Sequence, residues 1–360
     1  MSATSRLVSW FRANARPLPW RTKLRDPYAT LVSELMAQQT QLDRVVPKFE
    51  AFMLRFPSLS ALAAATEDEV LELWSGLGYY RRARLLHRLA RVVEAGSGEL
   101  PKTAKGLEAL PGIGPYTAAA IASMVHGEAV PLMDGNVARV GARILAVAGD
   151  PTKGRARKTI LWWVGELMRD APPGEINEAL MELGATICTP VQPDCGRCPF
   201  IQECRARLEG DPAAYPPPRQ TRSAIHLRWL AVVIEDSASR WLLRQVTDGP
   251  ILRGLWLPPF AEIGGPLSLD GQVRRLVPFR TTTPIEFTNP IRHSITHRRI
   301  EVSVARVILE VGRKAPEGWR WVDPDEPTVP TSSLLAKIFA SFSDRHLATF
   351  SGNPEGTEGE

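Results

Sequence analysis

Four clustered cysteines are the residues in this sequence whose spacing indicates chemistry most directly. They are the only cysteines in 360 residues and follow the pattern Cys188-x6-Cys195-x2-Cys198-x5-Cys204. Thiolates at such spacings hold either zinc or an iron–sulfur cluster. Structural zinc sites usually contain two tightly spaced cysteine pairs, whereas only Cys195 and Cys198 form such a pair here. The pattern therefore predicts a metal site and favours a cluster, with zinc as the alternative.

Two carboxylates, Glu34 and Asp134, lie where acid–base chemistry is possible. Glu34 borders the apolar stripe of Leu31 and Leu35, and partial desolvation there would raise its pKa towards the range of a general acid. Asp134 precedes a predicted helix, and a helix N-terminus favours an ionised carboxylate. Each residue also has a simpler interpretation, because Glu34 fits a surface position and Asp134 fits helix capping alone.

A pair of glycines and a run of polar side chains indicate contacts with nucleic acid. Gly112 and Gly114 lie between two predicted helices, and a tight hairpin there would direct backbone N–H groups at a phosphate. The consecutive residues Gln38, Gln39 and Thr40 have the donors and acceptors needed to contact base edges. The corresponding alternatives are a plain turn and a cap for the next helix.

Composition limits the class of protein. The net charge of +5 is only weak support for a polyanionic partner, and the basic run Tyr79–Arg84 is interpreted as a solvated helix face. The hydrophobic content of 44% and the charged content of 23% exclude wholesale disorder. We expect no membrane span, because the sequence contains no long apolar run. We also expect no secretory signal, because the N-terminus lacks the signal pattern, and no disulfide scaffold, because four cysteines are too few.

The elements that must position these residues differ between the two halves of the chain. Residues 1–210 show helical periodicity and predict an all-α region. Residues 211–224 are proline-rich and predict a semi-rigid linker. Residues 225–345 predict a smaller α+β domain, and residues 346–360 predict a disordered tail.

Several boundaries can be predicted within these regions. Asp26-Pro27 is typical of a helix start, and Thr40–Asp43 resembles a capping box for the next helix. The further predicted helices and strands are, in chain order, helices Glu67–Trp74, Arg82–Ala95, Lys105–Leu110, Tyr116–Val125, Val137–Ala146, Arg155–Met168 and Glu175–Cys188, strands Trp229–Ile234, Trp241–Gln245, Glu286–Phe287 and Ile300–Glu310, and helix Thr331–Phe342.

Taken together, these motifs resemble one group of DNA repair enzymes. The hairpin Leu110–Gly114, the aspartate Asp134 and the 6-2-5 cysteine spacing resemble the helix-hairpin-helix glycosylase superfamily, in the branch with a [4Fe–4S] cluster. Within that branch the sequence is similar to the adenine DNA glycosylases. The similarity extends over further segments of the first half, namely Leu18–Arg21, Ser33–Thr40, Gly76–Tyr80, Asp134–Val137 and Asn177–Leu180.

The resemblance implies a role for each of these residues. Glu34 would protonate a flipped adenine and later activate water, while Asp134 would stabilise the oxocarbenium-like sugar or trap it covalently. Tyr116 and Asn136 would orient this pair. The other implied assignments are a [4Fe–4S] cluster on Cys188, Cys195, Cys198 and Cys204, adenine binding by Trp20, Arg21 and Glu178, and DNA binding by Gln38, Gln39, Thr40, Tyr79, Gly112 and Gly114, with Gln39 and Tyr79 wedged into the base stack.

One position separates two activities within the superfamily. Endonuclease III-like enzymes have a lysine two residues after the second hairpin glycine, and this lysine forms a Schiff base with the sugar. Tyr116 occupies the position here, so we expect a monofunctional glycosylase without efficient strand cleavage. The alternatives are an endonuclease III-like pyrimidine glycosylase/lyase and a cluster-bearing DNA-binding protein without activity.

The second half resembles the Nudix-like C-terminal domain of the same family. Leu252–Arg275 lacks the acidic helix of a Nudix hydrolase, so the domain is expected to recognise a lesion instead. Thr296 and His297 match a family tip that inspects 8-oxoguanine, although Ile295 replaces its aromatic residue. The expected partner is double-stranded DNA with 8-oxoguanine:adenine or guanine:adenine mispairs. We expect a monomer in the bacterial cytoplasm, associated with the nucleoid.

Overall fold

The computed structural model describes residues 1–217, 223–249, 251–309, 313–325 and 327–348, with side chains up to Phe342 in the last helix. The chain divides into two compact units, Met1–Gln220 and Thr221–Glu360. Residues 218–222 of the predicted linker and the predicted tail from residue 349 lie outside the described residues. Among the described helices, none is long and apolar enough to cross a membrane.

The first unit is all-α, which confirms the predicted class. Two single turns of 3-10 helix, Cys195–Arg197 and Pro212–Ala214, accompany its α-helices. The α-helices are α1 (Ala3–Asn14), α2 (Pro27–Ala37), α3 (Leu42–Arg55), α4 (Leu59–Ala64), α5 (Glu67–Leu73), α6 (Arg81–Ala95), α7 (Ala104–Glu108), α8 (Pro115–His126), α9 (Gly135–Leu145), α10 (Gly154–Leu167), α11 (Pro173–Thr186) and α12 (Arg205–Leu208).

Side-chain caps fix the starts of several of these helices. Asp26 accepts a hydrogen bond from the Ala29 backbone N–H, and Pro27 follows it as the first helical residue of α2. Thr66 and Glu69 form a capping box at α5. The predicted capping box at Thr40–Asp43 is wrong, because α3 begins after Gln41 without a side-chain cap.

The helices pack around two apolar clusters, and α8 contributes to both. Leu31 of α2 and Trp74 belong to the first cluster, and Ile121 of α8 joins them. Val140 of α9 and Leu180 of α11 belong to the second, together with Ala119 and Ala120 of α8. Alanines are small enough for helices to approach α8 closely from both sides. The residues at the start of α8 therefore lie between the two clusters.

The second unit is an α+β domain, as predicted. In the described part of this unit, the sheet has eight strands. Its central order is β3-β2-β1-β7-β5, while β4 pairs with β1, β6 with β7 and β8 with β2. The elements are β1 (Ile225–Asp236), β2 (Trp241–Gln245), β3 (Trp256–Leu257), β4 (Phe260–Glu262), α13 (Leu269–Leu276), β5 (Glu286–Phe287), β6 (Ile291–Ile295), β7 (Arg298–Leu309), β8 (Trp319–Val322) and α14 (Ser333–Ala348).

The two central strands explain why this sheet has a core on each face. β1 and β7 run parallel, in register from Ile225 opposite Arg298 to Asp236 opposite Leu309. Consecutive residues of β1 alternate between two apolar clusters: Val233 belongs to one cluster and Ile234 to the other. This alternation follows from the twofold period of a strand. The last helix, α14, continues six residues beyond the predicted end at Phe342 and into the first three positions of the predicted tail.

Candidate active site

The predicted catalytic residues converge at the start of α8, where the two apolar clusters meet. Glu34 comes from α2, Tyr116 from the first turn of α8, and Asp134 from the residue before α9. Glu34 is only 8% exposed, so the interpretation as a surface glutamate is wrong. The phenolic O–H of Tyr116 donates a hydrogen bond to Glu34 Oε2 at 2.6 Å.

The environment of Glu34 suits a proton donor near neutral pH. Burial, together with the nearby carboxylates of Glu178 and Asp134, raises its pKa to about 7. The hydrogen bond from Tyr116 and the positive charge of Arg21 act in the opposite direction. Burial predominates because the charged form loses its hydration. Glu34 can therefore exist both as an acid and as a carboxylate around pH 7.

Asp134 is the N-cap of α9 and is also held by a neighbouring side chain. Its Oδ1 accepts the backbone N–H of Val137 at 2.6 Å, and its Oδ2 accepts Asn136 Nδ2 at 2.9 Å. These bonds favour the ionised form, yet burial outweighs them and raises the pKa of Asp134 above its ordinary value. The ionised state expected for Asp134 at the helix N-terminus stays a prediction, since burial and these hydrogen bonds act in opposite directions. Capping and a position beside Glu34 coexist in this residue.

Asn136 is itself fixed by Arg139 and by close helix packing. Arg139 donates to Asn136 Oδ1 at 2.9 Å, to the Gly184 carbonyl at 2.7 Å and to the Cys188 carbonyl at 2.8 Å. A Cβ atom on Gly184 would lie 2.5 Å from the Cβ of Asn136, so this position on α11 requires glycine. Arg139 was not predicted, because nothing in its local sequence distinguishes it from other helix-surface arginines.

The predicted adenine-binding residues form an ion-pair network next to Glu34. Arg21 donates to Glu178 Oε1 at 3.1 Å and to Glu182 Oε2 at 2.9 Å, and Arg25 donates to Glu178 Oε2 at 2.6 Å. Sequence reasoning missed Arg25 and Glu182. Trp20 contributes differently, since its ring packs edge-on against Phe49 at a centroid distance of 4.9 Å.

The predicted hairpin lies between α7 and α8 and requires one of its two glycines. Gly112 has a φ of +83°, and a Cβ atom there would lie 2.7 Å from the Leu85 side chain. Gly114 is the extended N-cap of α8, with no atom within 4 Å of an added Cβ. The exposed Gly112 turn and the first backbone N–H groups of α8 therefore form a surface that suits a phosphate.

The predicted DNA-contact residues Gln39 and Tyr79 lie on two loops that share one buried arginine. Both have left-handed backbones, with φ values of +57° for Gln39 and +49° for Tyr79, and both are exposed. Gln38 donates to Thr117 Oγ1 at 3.3 Å. Arg82 is only 8% exposed, so the interpretation of its run as a solvated helix face is wrong at this position.

All four cysteines line one cavity together with Arg143. Arg143 is buried, and it donates to Cys188 Sγ at 3.3 Å and to the Thr189 carbonyl at 2.6 Å. In the described ranges, no three His, Cys, Asp or Glu side chains converge closely enough to hold a single metal ion. The predicted ligands thus surround a common space instead of meeting at one point.

Thr296 and His297 form the two-residue turn between β6 and β7. The strands pair up to Ile295 opposite Arg298, so only these two residues project at the tip. Thr296 is exposed with a φ of +54°, and its hydroxyl lies 3.3 Å from His297 Nδ1. Ile295 packs against the apolar cluster below the turn. The tip belongs to the second unit, whereas the other predicted site residues belong to the first.

The chain is similar to known DNA glycosylases over both units. The family described as HhH-GPD superfamily base excision DNA repair protein matches residues 32–165. The adenine DNA glycosylase of Homo sapiens is 32% identical, over 96% of this chain and 75% of its own length. The adenine DNA glycosylase of Mycobacterium tuberculosis is 40% identical, over 59% of this chain and 70% of its own length. The solved structure of a thermostable thymine-DNA glycosylase matches with a TM-score of 0.52 and 26% sequence identity. The match covers 57% of this chain and 95% of the thymine-DNA glycosylase chain.

Proposed function

The chain belongs to the adenine DNA glycosylases of base excision repair, and on that premise we propose that it hydrolyses adenine mispaired with 8-oxoguanine or guanine, using Glu34 and Asp134. The supporting observation is the buried Glu34 carboxyl, hydrogen-bonded to Tyr116 with a pKa raised to about 7. A proton donor with this pKa is half-protonated at neutral pH. Flipping the adenine out of the duplex brings its ring nitrogens within reach of this proton.

Glu34 acts first as an acid and then as a base. Protonation of the flipped adenine makes it a neutral leaving group when the bond from N9 to C1′ breaks. The Glu34 carboxylate left behind accepts a proton from the attacking water, and a hydroxyl group is added at C1′. Tyr116 holds the carboxyl in place for both steps through its hydrogen bond.

Asp134 provides the negative charge opposite the sugar. The Val137 N–H and the Asn136 amide fix both of its oxygens, so the carboxylate is preorganised for the positive charge that develops at C1′. The same geometry is compatible with a covalent bond between Asp134 and C1′, as in retaining glycosidases. Arg139, through Asn136, is a positioning residue for this carboxylate.

The base is held on the side of Glu34 that faces the ion-pair network. Arg21 and Glu178 have fixed positions there because Arg25 and Glu182 satisfy their remaining hydrogen bonds. Trp20 provides an aromatic wall beside them. Gln38, Gln39, Thr40 and Tyr79 contact the opened base stack, and the turn at Gly112 and Gly114 contacts phosphate.

The experiment that tests the proposal is single-turnover release of adenine from duplexes with 8-oxoguanine or guanine opposite adenine. Glu34→Gln is isosteric and cannot protonate the base, so release should fall by at least about a hundredfold while duplex binding persists. Lys105→Gln, an exposed change before the hairpin, is the matched control. Near-normal release by Glu34→Gln would falsify the catalytic assignment.

The chemistry at Tyr116 makes the enzyme monofunctional in this proposal. A phenol forms no imine with the sugar aldehyde, and the nearest lysines, Lys102 and Lys105, are exposed residues before the hairpin. Borohydride should therefore trap little covalent enzyme–DNA adduct at any stage of the reaction. Efficient trapping would instead support the glycosylase/lyase alternative.

The four cysteines fit a [4Fe–4S] cluster as the cofactor. They line one cavity, and the buried Arg143 guanidinium beside Cys188 Sγ offsets the negative charge of thiolates. When bound, such a group cross-links the segment between Cys188 and Cys204 and so contributes to its folding. Iron analysis and visible absorption of the purified protein decide between a cluster and zinc. Zinc at one equivalent without iron would contradict the assignment.

Thr296 and His297 contact the lesion in this proposal. Their turn presents a hydroxyl and an imidazole to solvent, and both groups can hydrogen-bond the edge of 8-oxoguanine. Helix α13 supports recognition rather than hydrolysis, since Asp270 is its one acidic residue and Arg274 and Arg275 are at its end. The enzyme acts as a monomer on double-stranded DNA.

A further inference from the structure

One buried arginine, Arg82, joins the two loops that hold Gln39 and Tyr79. On one side, its Nη1 donates to three carbonyls at the end of α2, those of Leu35 at 2.6 Å, Met36 at 3.2 Å and Gln38 at 2.5 Å. On the other side, its Nη2 donates to the carbonyls of Leu77 and Gly78 and to Thr40 Oγ1, each at 3.3 Å. A single planar group thus fixes both loops.

The burial of this guanidinium is energetically costly. In the described part of the chain, the hydrogen bonds of its two Nη atoms go to neutral carbonyl and hydroxyl oxygens, and its Nε has no hydrogen-bond partner. Burial lowers the pKa of Arg82 to about 10. Carbonyl dipoles and the rings of Trp74 and Tyr79, with centroids 5.7 and 5.3 Å from its Cζ, are the contacts that offset this cost.

The two loops hold backbone conformations that are unfavourable by themselves. Gln39 and Tyr79 have φ values of +57° and +49°, and a left-handed backbone is strained at a residue with a bulky side chain. Such conformations persist where the surroundings enforce them. Arg82 bonds the carbonyls of the residues just before Gln39 and just before Tyr79, and the ring of Tyr79 lies over its guanidinium.

We propose that Arg82 is a positioning residue for base flipping: by tying the two loops together, it presents Gln39 and Tyr79 together to the opened base stack. The inference rests on the proposed function of these side chains as wedges. Arg82 itself contacts no DNA in this account. Its effect on the reaction passes through Tyr79 and Gln39.

The substitution Arg82→Lys separates this role from that of a buried positive charge. A lysine keeps the charge, but its single ammonium cannot reproduce the planar fork that bonds both loops at once. Arg88→Lys is the matched control, because Arg88 lies on the same helix and is exposed. Thermal unfolding of both variants reports whether a change is confined to the loops.

The test is a double-mutant cycle on Arg82 and Tyr79, read by 2-aminopurine placed opposite 8-oxoguanine. Its fluorescence rises when the base leaves the stack, and the rise is recorded within seconds of mixing, so the readout does not need base release. Loss of a stacked aromatic contact is worth roughly tenfold or more in the flipping equilibrium. We expect at least about a tenfold loss for Tyr79→Ala and for Arg82→Lys. The double variant should lose clearly less than the product of the two, because only the part of the Arg82 effect that passes through Gln39 remains.

The outcomes are distinct. An Arg82→Lys protein that flips the base within about twofold of the control overturns the inference. A loss in the double variant equal to the product of the two single losses also overturns it, because the free energies of independent sites add. Adenine release is measured in parallel on the unmodified duplex. If the fluorescence cycle shows coupling while the unaltered protein releases no adenine, the proposed function fails and the positioning role stands.

Discussion

Glu34 shows how burial and hydrogen bonding compete at a single residue. Desolvation favours its neutral form, whereas the Tyr116 hydroxyl favours the carboxylate, and the result is a pKa raised to about 7. At about pH 7, a glutamate on the surface would be ionised, whereas a glutamate buried without any hydrogen-bond donor would stay protonated. The balance between the two effects allows one side chain to give up a proton and later accept one.

The pH dependence of adenine release should follow this pKa. A raised carboxyl pKa means that the acid form is present below about pH 7 and is lost as the pH rises through that value. The single-turnover rate constant should therefore fall about tenfold per pH unit above the midpoint. Tyr116→Phe removes a bond that lowers the pKa of Glu34, so the midpoint should move to higher pH. A midpoint that moves to lower pH would contradict this origin of the shift.

At the scale of the element, Asp134 at the start of α9 has an observed capping role and a proposed chemical role. Its Oδ1 satisfies the Val137 N–H, as an N-cap does in many helices, while its position beside Glu34 is set by packing of α9 against α11. The close contact of Gly184 with Asn136 fixes that packing. The cap fixes the carboxylate, and the helix packing brings it to the site.

Substitutions at Asp134 should separate these roles. Asparagine is as good an N-cap as aspartate, so Asp134→Asn should keep the unfolding free energy within about 0.5 kcal/mol, whereas Asp134→Ala should lose about 1 kcal/mol. Both should lower single-turnover adenine release by about a hundredfold or more, because the charge opposite C1′ is gone. Chemical denaturation and base release measure the two effects. Full activity in Asp134→Asn would leave capping as the sole role of this residue.

At the scale of the whole molecule, the two units have separate cores, and the proposed function gives them separate tasks. Both belong to one family, because the human relative covers 96% of the chain. The first unit holds every residue that the proposal assigns to chemistry, and the second holds Thr296 and His297 on a two-residue turn. Under the proposed function, selectivity for the opposite base can therefore change without altering the catalytic residues.

The turn in the second unit should affect one substrate more than the other. Replacing Thr296 and His297 by alanine removes two hydrogen-bonding groups, and such groups contribute about 1 kcal/mol each. We expect adenine release at limiting enzyme to fall roughly thirtyfold for the 8-oxoguanine duplex and to change less than twofold for the guanine duplex. Equal losses on both duplexes would place the turn outside lesion recognition. The exposed Ser294→Ala variant on β6 is the control.

Much of the fold follows from local sequence. Helical periodicity predicted α5 to α11 within a few residues, because amphipathic spacing bounded by turn residues leaves few alternatives. The strands β2 and β5 were predicted with their bounds, whereas β3, β4, β6 and β8 were missed. Pairing with neighbouring strands, which local sequence does not show, is what makes those four segments strands.

The sequence by itself determined the residue types of the site: the acid Glu34, the carboxylate Asp134, the phenol Tyr116 and the four clustered cysteines. Whether Glu34 is buried, and whether Arg82 faces solvent or two loops, was decided only by the tertiary structure. The physical reason is that a pKa and a hydrogen-bond network depend on groups far apart in sequence, such as Glu34 and Tyr116, or Arg82 and Gln38. Periodicity places a residue on a helix face, but the partner that covers that face comes from elsewhere in the chain.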